Sequence, residues 1–410
     1  MNRSPRRLPL VAIVAVNVVT FAAFAAAAIT LSDRGERQVR QALSGALTAP
    51  RVAISHDQPL RIEPLYDDPS VVTDAELREM LARVRPRFGY ERLQPNYVEH
   101  ALRTWGATIE FGEPGVMDGP VMVAFLTDYG RQLASWGPQS RPMLAERPDG
   151  VAVNWGTQPS ESVHHDHWLA CLSEAGVPLD TPIFGPSRRG DTLNDALQEA
   201  LRDFDPNERE IEWSVMAFGF WLPPDHTSWI NREGRRIDFD LLAEMLMRGH
   251  KQFGVCGGTH RLYSLMALLR LDDDHQILSP PVREAVYEHL RGVRDLIAQS
   301  QHPDGSWGSD WPDGEAARQQ PLDEPVHRRV IATGHQLEWL AIAYPDLQPA
   351  RDAVRRAADW LIQTVRDTPH EALMTEYTFF SHVGSALALW RRSHPAEAWV
   401  TLAAGRPLEP

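Results

Sequence analysis

Histidines recur in this chain at the starts of segments with helical patterns. Imidazole is the side chain best suited to proton transfer and metal binding near neutral pH. Apolar or small residues follow each histidine two and five positions later, as Leu262 and Leu265 follow His260. A histidine in the first turn of a helix faces the positive end of the helix dipole, which favours the neutral ring that a general base or a metal ligand requires. The histidines that share this pattern are His100, His167, His260, His335 and His382.

The spacing of these segments indicates a structural repeat. A sixth apolar segment, around Trp213, has the same register without a histidine. Intervals of 46 or 47 residues separate His167 from Trp213, Trp213 from His260, and His335 from His382, while the two longer intervals fit the same unit with an insertion. This length is typical of one helical hairpin. The sequence therefore predicts an all-α fold, an α/α toroid of up to six hairpins around a central cavity, with an open solenoid as the alternative.

Four residues of these segments are predicted to be catalytic. Glu338 lies one helical turn after His335 and would point the same way, so it could orient the imidazole or exchange protons with it. In a closed toroid, His260, His335, Glu338 and His382 would meet at one rim of the cavity. For each histidine alone, the alternative is a helix-terminal residue that bonds to a loop carbonyl.

A second group of histidines is predicted to bind a metal. His165 and His167 lie in a dense polar cluster and could bind one divalent cation such as zinc, although a polar loop that caps its own helix is the alternative. Cys256 precedes His260 by four positions, a spacing that suits a metal only if both lie on one helical turn. Gly257 and Gly258 favour a turn at that point instead.

Tryptophans and one carboxylate are predicted to bind substrate. Trp307, Trp311 and Trp339 lie near loops expected at the rim, where indoles could stack on a sugar ring or stabilise a carbocation. Packing of the loops on the helices is the alternative for these side chains. Glu376 comes just before the His382 segment and could also face substrate, or could serve only as a first-turn carboxylate that suits the helix dipole.

Residues 301–307, Gln-His-Pro-Asp-Gly-Ser-Trp, resemble the QW motif of the squalene cyclase and prenyltransferase-repeat families. In those families, the motif joins an outer helix of an α/α toroid to the next inner helix, and here it lies between two helical segments. The aspartate-rich acid motif of the cyclases is missing, because the aspartates at 272–274 have a different spacing. The resemblance thus implies the toroid architecture.

A second resemblance concerns residues 334–339. Their Gly-His-x-x-Glu-Trp pattern is similar to that of the N-acylglucosamine 2-epimerases, which are also α/α toroids. The resemblance implies that His335 is an acid/base beside a sugar carbonyl, that His382 assists it, and that His260 lies on the family's earlier histidine-bearing helix. His382 follows sooner than in the family pattern, and the His260 segment lacks the family's acidic residue.

The amino-terminal segment predicts a membrane anchor. Residues 8–31 are uncharged and, as a helix, would extend roughly 36 Å, enough to cross a bilayer core of ~30 Å. Arg3, Arg6 and Arg7 precede the segment and favour a cytoplasmic amino terminus. We therefore expect a single-pass membrane protein whose carboxy-terminal domain is extracytoplasmic, in the periplasm. A cleaved signal peptide is the alternative, since residues 25–28 are all alanine.

The rest of the chain divides at a predicted helix start. Thr73 and Glu76 have capping-box spacing before an apolar-periodic run. The expected organisation is a cytoplasmic tip and transmembrane anchor at 1–31, a stalk or linker at 32–72, and the toroid domain at 73–410. Strand patterns are scarce in that domain, and the clearest are at 122–125 and 151–154.

Charge excludes one class of function. The chain has 41 basic and 55 acidic residues, a net charge of −14, which argues against binding to nucleic acid. The favoured function is an acid/base or metal-assisted enzyme acting on a carbohydrate or isoprenoid-like substrate in a histidine-rimmed cavity. The alternatives are a toroid that binds a small molecule or glycan, or acts as a scaffold, without catalysis, and a sugar epimerase or isomerase.

Overall fold

The computed structural model describes residues 20, 49–208, 210–248 and 255–408. Apart from Thr20, the predicted membrane segment at 8–31 lies outside the described residues. Within the described part of the chain, no helix has both the length and the apolar composition needed to cross a bilayer. The membrane anchor and the periplasmic location therefore stay predictions.

Helices make up most of the ordered structure, as the sequence predicts. In chain order, they are α1 (Asp74–Arg83), α2 (Pro95–Trp105), α3 (Gly119–Thr127), α4 (Tyr129–Trp136), α5 (His167–Glu174), α6 (Leu193–Asp203), α7 (Glu212–Trp221), α8 (Phe239–Met247), α9 (Thr259–His275), α10 (Pro280–Ser300), α11 (Glu315–Gln319), α12 (Val326–Ile342), α13 (Arg351–Asp367), α14 (His370–Thr375), α15 (Tyr377–Leu389) and α16 (Pro395–Ala403). The predicted capping box opens α1, where the Thr73 hydroxyl accepts from the Glu76 amide.

The strands are short. They are β1 (Leu144–Arg147), β2 (Gly150–Val153), β3 (Pro182–Ile183), β4 (Asp191–Thr192), β5 (Ser228–Ile230) and β6 (Arg236–Asp238), and β1 pairs antiparallel with β2, as β3 does with β4. The strand predicted at 151–154 is confirmed by β2. The strand predicted at 122–125 is wrong, because that apolar run lies in α3. A proline near the start of α3 suits the first turn of a helix.

The described residues divide into two units. Val52–Trp229 and Ile237–Pro410 form one, which contains all sixteen helices, while Met1–Arg51 and Ile230–Arg236 form the other. Of the smaller unit, the structure describes residues 20, 49–51 and 230–236. Within the larger unit, the predicted linker contributes backbone hydrogen bonds from Leu60 to Phe220 and from Leu65 to Ala341, so its last part lies against the helices.

Six helices of the larger unit, which we call the core helices, contact one another in a closed order. Helix α2 contacts α5, which contacts α7, and the contacts continue through α9, α12 and α15 back to α2. Burial extends around their whole circumference: all ten residues of α7 are buried, as are all but the first three of α12. A helix buried on every side belongs to the interior. These are the six segments that the sequence aligns in one register.

The longest of the remaining helices, α10 and α13, bury only one face. In α13, the buried positions recur three and four residues apart, at Val354, Ala357, Ala358 and Leu361. This helix contacts α12 and α15, whereas α10 contacts α9, and α16 contacts both α15 and α2. Helices α10 and α13 therefore differ from the core helices, which are buried around their circumference.

The QW-like segment follows α10 and contacts α13. Gln301 Nε2 donates to the carbonyls of Gly305, at 2.9 Å, and Ala353 in α13, at 2.7 Å, and the Trp307 indole donates to Ile297 in α10. Gly305 has a φ of 99°, and a Cβ there would lie 2.3 Å from a backbone oxygen of α13. The motif thus fixes the turn between α10 and the following core helix.

Candidate metal centre and adjoining cavity

One aromatic side chain from each core helix contributes to a closed layer in the protein interior. We call it the imidazole layer. Its ring centroids are separated by 4.9 Å (His100–His167), 4.3 Å (His167–Trp213), 4.2 Å (Trp213–His260), 4.1 Å (His260–His335), 3.9 Å (His335–His382) and 5.4 Å (His382–His100). The convergence agrees with the predicted register. All six side chains are buried, however, so they fill the interior at this level instead of lining an open rim.

Glu338 connects two histidines of the layer. Its Oε2 lies 2.7 Å from His335 Nδ1 on the same helix, and its Oε1 lies 3.0 Å from His382 Nδ1 on α15. Among the described residues, neither histidine has a partner for its buried Nε2. One ligand atom from each of the three residues lies within 4.8 Å of the others, so the group could hold a metal ion. We call it the Glu338 cluster.

The electrostatics of the Glu338 cluster suit a cation. Burial, reinforced by His382, lowers the pKa of His335 to about 3, and burial also lowers the pKa of His382. Burial alone would raise the pKa of Glu338, but His382, the Arg103 guanidinium and His335 more than offset it and hold that pKa well below its usual range. Two neutral imidazoles beside an ionised carboxylate are a donor set that zinc accepts.

A second group, which we call the Cys256 cluster, shares one residue with the first. Ligand atoms of Cys256, His260 and His335 lie within 4.8 Å of one another. Cys256 and Gly257 have φ values of 54° and 68°, so the predicted turn is present before α9. The turn does not separate the cysteine from His260. Burial raises the pKa of the Cys256 thiol to about 12.

The two predicted metal ligands His165 and His167 have different partners. His167 belongs to the imidazole layer, and its Nδ1 lies 2.6 Å from Glu99 Oε2. His165 Nδ1 lies 2.9 Å from Glu208 and 3.4 Å from Asp166. Burial lowers the pKa of His165, but the two carboxylates outweigh it and raise the pKa to about 9. The structure thus brings His167 to the imidazole layer, whereas His165 contacts two carboxylates.

A cavity lies next to the layer, and Glu338 shares its wall with three polar residues that have no predicted role. The cavity has a volume of about 240 Å³, and Arg103, Glu174, Tyr263 and Glu338 contribute to its wall. Arg103 lies 2.5 Å from Glu174 and 3.7 Å from Glu338, and its guanidinium lies over the Tyr263 ring at 5.3 Å. Arg103, Tyr263 and Glu338 each follow a histidine of the layer by three residues. This regular spacing is the feature of the sequence that could have identified them as cavity residues.

The predicted substrate-binding residues lie elsewhere. Trp307, Trp311 and Trp339 are buried, and the last two donate their indole N–H groups to the Gly257 carbonyl and to Gln336. Glu376 precedes α15, and its carboxylate lies 4.0 Å from a histidine in α12. The described wall of the cavity includes none of these four side chains. Their role in substrate binding stays a prediction.

Comparison with family models, with curated proteins and with solved structures finds no match for this chain. The two motif resemblances therefore carry no support from relatives. What the fold and the site define is a mostly helical protein with a buried group of histidine, glutamate and cysteine side chains that could hold a metal ion.

Proposed function

We propose that the protein is a metal-dependent enzyme of α/α-toroid architecture, in which His335, Glu338 and His382 bind a divalent cation such as zinc. The observation that carries the proposal is the position of Glu338. Its two oxygens contact two neutral imidazoles, and the same residue forms part of the cavity wall. A cation held there would therefore lie at the boundary between the buried histidines and a space large enough for a small molecule.

The closed contact order of the core helices supports the toroid. Equivalent side chains meet at two successive levels, first in the imidazole layer and again one turn later, where Arg103, Tyr263 and Glu338 reach the same cavity. When all six core helices run in the same direction, residues at equivalent positions lie at the same height along the ring. Contacts in the imidazole layer and again three residues later are therefore expected. An open solenoid would leave α2 and α15 apart, whereas these two helices are in contact.

The ligand set favours zinc over magnesium or calcium. Imidazole nitrogen is a good ligand for zinc, while magnesium and calcium prefer oxygen. Four-coordinate zinc with bonds of about 2.1 Å separates its ligands by about 3.4 Å, so the Nδ1–oxygen distances of 2.7 and 3.0 Å would lengthen by about 0.4–0.7 Å on binding. Three protein ligands leave a fourth position for water or substrate, the arrangement of catalytic zinc sites. Bound there, the metal would polarise a substrate oxygen or lower the pKa of a bound water.

The cavity favours a hydroxylated substrate of the carbohydrate class over an isoprenoid-like one. Its wall carries hydrogen-bonding groups from Arg103, Glu174 and Tyr263, while Phe220 and Leu389 add apolar surface. Arg103 is engaged by two carboxylates, so its charge is not free to select an anion. Burial raises the pKa of Tyr263 far above its usual value, and the phenol therefore remains a hydrogen-bond donor. Donors and acceptors beside an apolar surface suit a neutral polyol.

Metal analysis of the purified full-length chain tests the proposal. We expect zinc to co-purify, to be removed by a chelator, and to bind at least tenfold more weakly to Glu338→Gln. Glu371→Gln, an exposed carboxylate on α14, is the matched control and should bind like the wild type. Equal zinc affinity in Glu338→Gln and the wild type would refute the site. Zinc binding without turnover on any carbohydrate would instead favour the non-catalytic toroid.

A metal-free sugar epimerase is the second candidate. The observation in its favour is the pair His335 and His382, two neutral rings 3.9 Å apart that share one carboxylate. Such a pair could remove and return a proton beside a sugar carbonyl. Activity that persists after complete chelation would favour this candidate over the metal-dependent enzyme.

We also propose that residues 8–31 anchor this enzyme in a membrane, with residues 73–410 on the periplasmic side. The uncharged length of the segment and the three arginines before it support the proposal. Extraction of membranes with carbonate and protease accessibility in spheroplasts test it. Release of the protein into the soluble fraction would favour the cleaved signal peptide.

A further inference from the structure

We propose that the protein binds two divalent cations, one in the Glu338 cluster and one in the Cys256 cluster, with the imidazole of His335 between them. The inference rests on the proposed function, because the first cation is the one held by Glu338. It adds a second site whose ligands are a thiolate, His260 and the far side of His335. The clusters have His335 in common, and they have no other described member in common.

His335 has two ring nitrogens, and only one of them faces Glu338. Nδ1 lies 2.7 Å from the carboxylate. Nε2 is buried, and the described part of the chain provides no partner for it. An unpaired polar atom in the interior costs about 1–3 kcal/mol, so its persistence calls for a ligand. A cation at Nε2 would satisfy it without disturbing the contact with Glu338.

His260 presents a second unpaired nitrogen to the same region. Its Nδ1 is buried, and no described residue bonds to it. The His260 and His335 ring centroids lie 4.1 Å apart, so the two rings are direct neighbours in the imidazole layer. Two adjacent imidazoles with free nitrogens form half of a tetrahedral zinc site. The thiol of Cys256 is the third donor.

The backbone holds Cys256 in place. Its carbonyl accepts from the Thr259 hydroxyl at 2.8 Å, and the carbonyl of the next residue, Gly257, accepts from the Trp311 indole at 3.1 Å. The left-handed conformation of Cys256 costs an L-residue roughly 1–2 kcal/mol, and such strain is found mainly at functional sites. The same contacts give buried Trp311 a defined role, which is to support the turn that carries the thiol.

Binding in the second site releases protons from this chain. The Cys256 thiol loses its proton to become a thiolate, and the ring of His335 loses its remaining N–H proton when both nitrogens bind metal. The two cations offset the two negative charges that result. No oxidation or reduction takes place, so the site needs no co-reactant.

Metal stoichiometry and X-ray absorption on the full-length protein test the inference. Zinc is the probe, added to chelator-treated protein. We expect two zinc ions per chain in the wild type, with one sulfur ligand for every two zinc ions. Cys256→Ser should retain one zinc ion and show no sulfur ligand. Cys171→Ser, which removes the other cysteine, a buried thiol on α5, is the matched control and should still bind two.

The outcomes separate this inference from the proposed function. One zinc ion per chain without sulfur would overturn the second site and leave the Glu338 site standing, whereas no bound zinc would overturn both. Glu338→Gln should retain the sulfur ligand, because its remaining zinc lies in the Cys256 cluster. His335→Ala should lose both ions while its circular dichroism stays helical. Loss of only one ion in that variant would contradict the shared imidazole.

Discussion

Gly334 and His382 approach each other closely at the contact between α12 and α15. A Cβ atom on Gly334 would lie 3.1 Å from the Cβ of His382, closer than side chains normally pack. The glycine precedes His335 directly, so the absence of a side chain allows α12 and α15 to come together. The distance between Glu338 and His382 depends on this approach.

Replacing Gly334 by alanine should therefore damage both stability and metal binding. We expect the free energy of unfolding to fall by about 1–3 kcal/mol, the usual cost of an extra methyl group in a packed interior. Zinc affinity should fall as well, because the methyl group displaces His382 from Glu338. Urea unfolding and competition with a zinc-binding dye measure the two effects.

Gly292→Ala is the control for that prediction. Gly292 lies in α10, where a Cβ would meet no heavy atom within 4 Å. The substitution should stabilise the protein by about 0.4–1 kcal/mol, because alanine has the better helix propensity and restricts the unfolded chain. Equal effects of the two substitutions would contradict the close approach of α12 and α15.

The repeat in the sequence predicted the meeting of the histidines because one register recurs in every core helix. His167, Trp213 and His260 are spaced by nearly equal intervals, and the structure places their rings next to one another. A closed helical ring repeats its geometry at each hairpin, so a periodic sequence is sufficient to align these side chains.

Other features of the site depend on information that a single sequence does not carry. The pairing of Glu99 with His167 joins residues 68 positions apart, and no local spacing indicates it. The sequence also does not indicate on which side of the imidazole layer the cavity lies. Periodicity shows which face of a helix is buried, but not the end at which the interior opens. The run at 122–125 was assigned to a strand because four apolar residues fit either period.

Arg103 should be essential for stability as well as for the cavity. It is buried between the carboxylates of Glu174 and Glu338, so Arg103→Met would leave two buried charges without a cation. We expect a loss of about 3–5 kcal/mol in the free energy of unfolding, the typical effect of breaking a buried ion pair. Urea unfolding monitored by circular dichroism measures the loss.

A double variant makes the origin of that loss clear. Adding Glu174→Gln to Arg103→Met removes one of the two uncompensated charges and should recover part of the stability. The double-mutant cycle isolates the coupling between the two residues. Simple addition of the two single effects would show that Arg103 acts through packing of its side chain on Tyr263 and not through charge.

The Tm should rise with the logarithm of the zinc concentration, and it should fall when a chelator removes the metal. A ligand that binds only the folded state stabilises it by about 2.7 kcal/mol at a free concentration one hundred times its Kd. We therefore expect chelator to lower the Tm of the wild type by more than that of Glu338→Gln, which keeps only the zinc ion of the Cys256 cluster. Differential scanning fluorimetry at several zinc concentrations provides the measurement. An unchanged Tm of the wild type would contradict a structural metal in the layer.

The pH dependence of stability should report on Glu99. Burial raises the pKa of its carboxyl to about 8 in the folded protein, against 4.5 for the ordinary group. Folding therefore favours the protonated form. The stabilisation from Glu99 is complete below about pH 4.5, declines by at most about 1.4 kcal/mol per pH unit, and is lost once the pH has risen through 8.

Glu99→Gln tests this dependence, because the amide stays neutral at every pH and can still bond to His167. We expect the difference in unfolding free energy between wild type and variant to shift in favour of the variant as the pH rises from about 5 to about 8, and to remain constant above that range. Glu371→Gln, at an exposed position, should show no such trend. A difference between Glu99→Gln and the wild type that does not change over this range would mean that Glu99 is ionised in the folded protein. The carboxylate would then accept a hydrogen bond from the Nδ1–H of His167, and the raised pKa of Glu99 would be refuted.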